Sequence, residues 1–255
     1  LYGYVANTYE IFGDIREDIA DISGLSGWHH IAVSWDDDAD TLATYLDGDV
    51  QTLITDETGN FTFDGDFYAN QTFASSGGGG NNWNGMMDSF IVINRSLSAQ
   101  EVSDMYNATK DNYIEEYTNI TTQARTSEGN EDYNFTPIYN LTTLPYGYFE
   151  NSTVLFYNLD NSSLSNNRTT VFDYYGRNNG TVMNNTQCGN VSGFVDTGCE
   201  FDGDGDYVNI SNSVDLNRFS PNYTITFSFW IYPHNIVDDV YIWSNTGDKY
   251  INRRS

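Results

Sequence analysis

The stretch from Trp28 to Gly48, WHHIAVSWDDDADTLATYLDG, constrains the fold more than any other part of the chain. Ile31, Val33 and Trp35 alternate with Ala32, Ser34 and Asp36, the period of a half-buried strand. The acidic run Asp36 to Asp38, with Asp40, cannot sit in a core and is read as a turn. The chain returns through Leu42, Thr44 and Leu46, alternating with Ala43 and Tyr45. Asp47-Gly48 then signals a tight hairpin turn. This predicts an antiparallel hairpin with one apolar face.

A second informative run is NGMMDSFIVINRSLSAQEVSDMY, Asn84 to Tyr106. Apart from Asp88 and Ser89, Met86 to Ile93 is apolar on both faces, as in a central strand covered from both sides. Ser98 and Glu101 have the spacing of a capping box. Val102, Met105 and Tyr106 follow at helical spacing, which predicts a short amphipathic helix near 99–108.

The two runs together resemble the laminin-G-like, concanavalin A-like lectin/glucanase jelly-roll family. The first resembles its Trp-His-His hairpin, the second its closing strand and helix. From Thr153 a further unit resembles that family's opening strands. It reads VLFYNLD, then CEFDGDGDYVNIS, then YTITFSFWIYP, in which Ile225, Phe227, Phe229 and Ile231 alternate with polar or amphipathic residues. The expected fold is therefore all-β: an antiparallel β-sandwich, a concanavalin A-like jelly roll with one short helix. Residues 1–110 read as the C-terminal part of one jelly roll. Residues 111–150 read as a linker or small insert, and 151–255 as the N-terminal part of a second. The two parts are complementary and would pair as one permuted sandwich, because half-covered sheets seek partners. The chain begins at Leu1 inside what reads as a domain, so a longer parent polypeptide is expected.

Acidic residues outnumber basic ones 36 to 10, a formal net charge of −26. Such a surface repels nucleic acid and anionic membranes, so neither is expected as a partner. No run of about 18 apolar residues is present, so no membrane insertion is expected. Asn-x-Ser/Thr occurs at 15 positions, from Asn60 to Asn222, well above what composition gives by chance. This density points to an N-glycosylated extracellular or cell-surface protein. Cys188 and Cys199, the sole cysteines, then read as a disulfide, worth about 2–3 kcal/mol by loop closure.

Two kinds of site are expected. Asp202-Gly-Asp204-Gly-Asp206 places three carboxylates at alternate positions, hard ligands suited to structural Ca²⁺. An Asp- and Gly-rich turn explains the same residues equally well. The resemblance supports calcium, because jelly-roll relatives often carry it. Asp88, in an apolar strand, needs either a cation or backbone N–H groups. For sugar binding, Trp83 between Asn82 and Asn84 is the leading candidate, with Tyr175 and its neighbour Tyr174 behind it; packing in the core explains Trp83 equally well. The glycine run within 75–82 reads as an exposed loop.

Catalysis is not expected. Related glycoside hydrolases use Glu-x-Asp-x-x-Glu on one strand. Here Glu200-Phe201-Asp202 runs on into Gly203, Asp204 and Gly205 with no second Glu. His29 and His30 point to opposite faces of a strand and are read as structural. The chain is thus expected to be a non-catalytic, extracellular carbohydrate-binding or adhesion module, its partner a glycan or cell-surface glycoprotein. The alternatives are a purely structural envelope spacer and a divergent glycoside hydrolase.

Overall fold

A computed structural model describes residues 9–10, 25–36, 39, 41–51, 71–75, 82–110, 151–211, 216, 224–234 and 240–245. The segment 111–150 and the glycine run at 77–80 lie outside the described residues, as do the sequons at Asn60, Asn70, Asn119, Asn134, Asn140 and Asn222.

The strands in chain order are β1 (Tyr9–Glu10), β2 (His29–Asp36), β3 (Thr41–Leu46), β4 (Asp49–Gln51), β5 (Gln71–Phe73) and β6 (Asn84–Ile93). Helix α1 (Ala99–Thr109) follows. After it come β7 (Thr153–Tyr157), β8 (Thr170–Val171), β9 (Gly180–Met183), β10 (Gln187–Ser192), β11 (Thr197–Asp202), β12 (Tyr207–Ile210), β13 (Thr224–Pro233), β14 (Val240–Tyr241) and β15 (Trp243–Asn245).

The hairpin at 28–48 forms with Trp35 opposite Leu42 and Ile31 opposite Leu46. Asp47 and Gly48 then link β3 to β4 with φ of 52° and 81°. Two successive positive φ values define the turn whose twist matches flanking strands. Gly48 is needed for a second reason: a Cβ there would stand 2.8 Å from Cδ1 of Tyr106 on α1.

Two antiparallel sheets face each other. The larger runs β10-β11-β6-β13-β2-β3-β4, with β7 also on β6; the smaller runs β15-β5-β12-β9-β8. β1 and β14 form a separate parallel pair. β13 lies between β2 and β6, hydrogen-bonded to both. Strands from 1–110 and from 151–255 thus interleave in both sheets. Alternation on β13 explains the layering. Ile225, Phe227, Phe229 and Ile231 enter the core between the sheets, and Thr226, Ser228, Trp230 and Tyr232 take the outer face. The inter-sheet core is aromatic: Phe90 stacks on Trp243 at 5.4 Å between centroids, and Phe73 lies 4.4 Å from Phe90.

Part of the outer face is closed by α1. Val102 and Met105 pack with Leu97 over Ala32, Tyr45, Ile91, Ile93 and Phe156. The capping box forms as its spacing predicts: Glu101 N–H donates to Ser98 Oγ, and Ser98 N–H donates to Glu101 Oε2 at 2.9 Å. Arg95 also donates to Glu101, at 2.7 Å. This hydrogen bond is the main reason the Glu101 carboxyl is held down at about 2. Cys188 and Cys199 are cross-strand neighbours on β10 and β11 and form a disulfide.

Candidate functional site

Beyond the reach of α1, the outer face of the large sheet stays partly open. Strand register aligns one row of side chains across it. Gln187 on β10 faces Glu200 on β11, Glu200 faces Met86 on β6, and Met86 faces Tyr232 on β13. Trp28, just before β2, closes the row with its ring 5.8 Å from Tyr232, edge on. Gln187 is exposed, and Glu200, Met86, Tyr232 and Trp28 are half-buried. The exposed His234 ring lies 5.6 Å from Tyr232, and its Nδ1 is 3.7 Å from Glu200 Oε1. Two aromatic rings, a carboxylate, an amide and an imidazole thus share one strip. Apolar ring faces with polar groups beside them are the parts of a sugar-binding surface.

The next row inward is sealed. Phe194, from the β10–β11 loop, stacks flat on Trp230 with centroids 3.5 Å apart and also touches Trp28. His30, opposite Trp230, is buried, and its Nε2 lies 2.8 Å from Ser228 Oγ. Burial depresses the His30 pKa to about 4, against a smaller upward pull from Asp47. The imidazole is therefore neutral at pH 7. His29 bonds Asp47 through Nδ1 at 2.8 Å, and His30 N–H donates to the other Asp47 oxygen. Both histidines pin the hairpin turn.

The candidates named from sequence fall in four separate places. Trp83 is wholly buried between the sheets. A Cβ at Gly85 would stand 3.0 Å from its Cζ2. No ring face remains for a sugar, so the stacking role expected of Trp83 does not fit this structure; Asn82 is buried with it. Asn84 alone of this trio lies beside the strip: it is half-buried, faces Asp202, and accepts through its carbonyl from His234 N–H.

Tyr175 sits in a different loop, residues 172–179. Asp173 anchors that loop by accepting from the N–H groups of Phe156, Arg177 and Asn178. Tyr174 is 69% exposed there and Phe172 42%. Tyr175 is half-buried, beneath the Arg177 guanidinium and edge on to Tyr174.

The candidate calcium ligands lie in two places, the turn at 202–206 and Asp88 on β6. Asp206 is buried, and its two oxygens accept from Asn185 N–H at 2.9 Å and Asp202 N–H at 3.1 Å. Burial is the main cause of its raised pKa. Asp202 caps the same turn by accepting from Asp204 N–H at 2.8 Å. Gly203 and Gly205 supply the positive φ this turn requires. Asp88 is four residues along β6 from the partner of Asp202 and is wholly buried. Val195 N–H donates to its Oδ2 at 2.9 Å, and burial, reinforced by the nearby charge of Asp160, pushes its carboxyl well above the usual range. Among the described residues, no three His, Cys, Asp or Glu side chains come together as a metal site. Asp88, Asp202 and Asp206 each accept from backbone N–H groups, and exposed Asp204 supplies one of them from its own backbone.

Glu200 and Asp202 share the outer face of β11, two residues apart, but Asp202 is held in its turn. The strip was not visible in the sequence, because its members come from five chain segments that only register brings together. The alternation in Thr224–Tyr232 put Tyr232 opposite the core face, and that was its one available signal.

Among the described residues, two antiparallel sheets and one α-helix on the outer face make an architecture consistent with a concanavalin A-like β-sandwich jelly roll. Residues 18–103 match a laminin G-type family model described as the concanavalin A-like lectin/glucanases superfamily. No curated protein and no solved structure matches the chain. Fold and match together support a carbohydrate-binding or structural module.

Proposed function

We propose that this protein is a non-catalytic, extracellular carbohydrate-binding module that engages a glycan on the Trp28–Tyr232 strip. The observation that carries the reading is the open row itself, with two partly exposed rings flanked by Glu200, Gln187 and His234 beside the sealed Phe194–Trp230 row. A sugar ring would stack on Tyr232 and Trp28 while its hydroxyls bond Glu200 and Gln187. The sheet fixes these groups before the ligand arrives, which lowers the ordering cost of binding. The Cys188–Cys199 disulfide fits an oxidising compartment. No described helix is long and apolar enough to cross a membrane.

Non-catalytic action is part of the proposal. Hydrolysis of a glycosidic bond needs two free carboxyl groups about 5–9 Å apart. Among the described residues, Asp202 shares the outer face of β11 with Glu200, and it accepts from the Asp204 N–H of its own turn.

A glycan array probed with the intact chain, followed by calorimetry on the hits, tests the reading. Binding that is lost in Tyr232→Ala and weakened in Glu200→Gln supports it. Binding unchanged in both, or release of reducing sugar from a bound oligosaccharide, overturns it.

A further inference from the structure

Nine of the sequon asparagines fall among the described residues; none is buried, and seven are exposed. The buried asparagines Asn82 and Asn178 belong to no sequon. Three of the exposed ones, Asn161, Asn167 and Asn190, gather on one rim of the sandwich. On that side β10 and β8 are the last strands of their sheets. The segment 161–168 closes the gap between them. Leu164 forms a β-bridge with Val171, and Asn161 N–H donates to Thr197 Oγ1 at 2.8 Å. Gly189 on β10 packs so closely beneath this segment that an added Cβ would stand 3.0 Å from Asn161 Cα. At Asn167 the sequon hydroxyl already reaches its own asparagine, Thr169 Oγ1 donating to Asn167 Oδ1 at 2.9 Å. Asn190 projects from β10, whose one strand neighbour among the described residues is β11.

We propose that Asn161, Asn167 and Asn190 carry N-linked glycans that sheath this rim. The co-reactant is a lipid-linked sugar phosphate or diphosphate on the secretory route. The asparagine Nδ2 forms a bond to the sugar's anomeric carbon as that carbon's bond to phosphate oxygen breaks. The lipid phosphate leaves with the electron pair, Nδ2 gives up one proton, and nothing is oxidised or reduced. An outermost strand offers unpaired N–H and C=O groups to other chains, and bulky hydrophilic cover on it blocks such pairing. No member of the Trp28–Tyr232 strip is itself a sequon asparagine; Asn190 lies three residues along β10 from Gln187 at the edge of the strip.

The test is peptide mass spectrometry, with electron-transfer fragmentation, of the protein secreted by its native host. Saccharide mass on Asn161, Asn167 and Asn190, with Asn82 and Asn178 bare, is the expected result. Bare asparagines at all three rim positions overturn the proposal. A second arm removes the sequons but keeps the asparagines, through Ser163→Ala, Thr169→Ala and Ser192→Ala together. The sheath predicts a higher sedimentation coefficient for this variant than for the parent at equal concentration. A coefficient equal to or below the parent's overturns the protective role. Sugar binding at the strip is measured separately and does not depend on either arm.

Discussion

The outer face of the large sheet has two ends, and their difference separates stability from recognition. Under α1, Ile91, Ile93, Ala32 and Tyr45 are buried against Val102 and Met105. At the other end the same strands present Met86, Tyr232 and Trp28 half-exposed beside Glu200. The alternation is unbroken on β13, while β6 shifts register between the two ends, where Ser89 has a φ of 52°. The distinction comes from the cover. The capping box begins α1 at Ser98, and the helix packs over Ala32 of β2, Tyr45 of β3, Ile91 and Ile93 of β6 and Phe156 of β7. Residues it covers contribute to folding. Residues it leaves uncovered gain little from burial, and a Trp, a Tyr and a Glu there call for another explanation.

Substitutions at the covered end should break stability and leave binding alone. Ile91→Ala removes a wholly buried side chain beneath α1 and should cost about 2–5 kcal/mol in urea unfolding. Any sugar affinity should be unchanged at concentrations where the variant is folded.

The boundary between the two ends should appear in the pH dependence of stability. His30 has a folded pKa of about 4 against an ordinary 6.5. The unfolded chain therefore takes up the proton first, and stability drops as pH falls from about 6.5 to about 4. At roughly 1.4 kcal/mol per pKa unit the loss approaches about 3 kcal/mol. Asp160, raised to about 6 chiefly by burial, works in the opposite sense, as does the raised Asp88. Their contribution is present at low pH and is lost as pH rises from the ordinary Asp value through their folded values. The comparison of parent with His30→Gln isolates the histidine, and the difference between their stability curves should flatten below about pH 4.

At the open end the effects should reverse. Tyr232→Ala should weaken sugar binding about tenfold, a loss of about 1.4 kcal/mol, while unfolding shifts by less than Ile91→Ala does. Ser98→Ala removes the helix cap and should cost about 1 kcal/mol of stability, with binding retained. The smallest effect concerns metal. Because Asp88, Asp202 and Asp206 are engaged by backbone N–H groups, a chelator should leave the melting temperature unchanged. A clear drop on chelation, restored by Ca²⁺, would show that the turn at 202–206 does bind the ion.

How much of this was legible in the sequence follows from how local each signal is. The 28–48 hairpin and the α1 capping box rest on spacings within a few residues, and both form where the pattern places them. The helix extends one residue past the predicted 108. Met86–Ile93 read as a central strand because both faces are apolar; the second sheet covers the inner face, and α1 covers the outer face at Ile91 and Ile93 but not at Met86. Trp83 read equally as a stacking face or a packed ring because flanking asparagines do not fix which way a tryptophan points; the fold buries it beside Gly85. Asp202, Asp204 and Asp206 read equally as ligands or as a turn, because spacing cannot distinguish a carboxylate facing a cation from one capping its own turn. The strip was illegible because register between distant strands, not sequence neighbourhood, aligns Gln187, Glu200, Met86, Tyr232 and Trp28.

The most direct test of the central claim is an NMR titration of the isotopically labelled chain with an oligosaccharide selected from the array. The strip predicts shifts confined to Gln187, Glu200, Met86 and Tyr232 amides and the Trp28 indole, with α1 and its covered residues unmoved. Shifts centred on the Tyr174–Arg177 loop, or shifts at neither place on saturation, would contradict it.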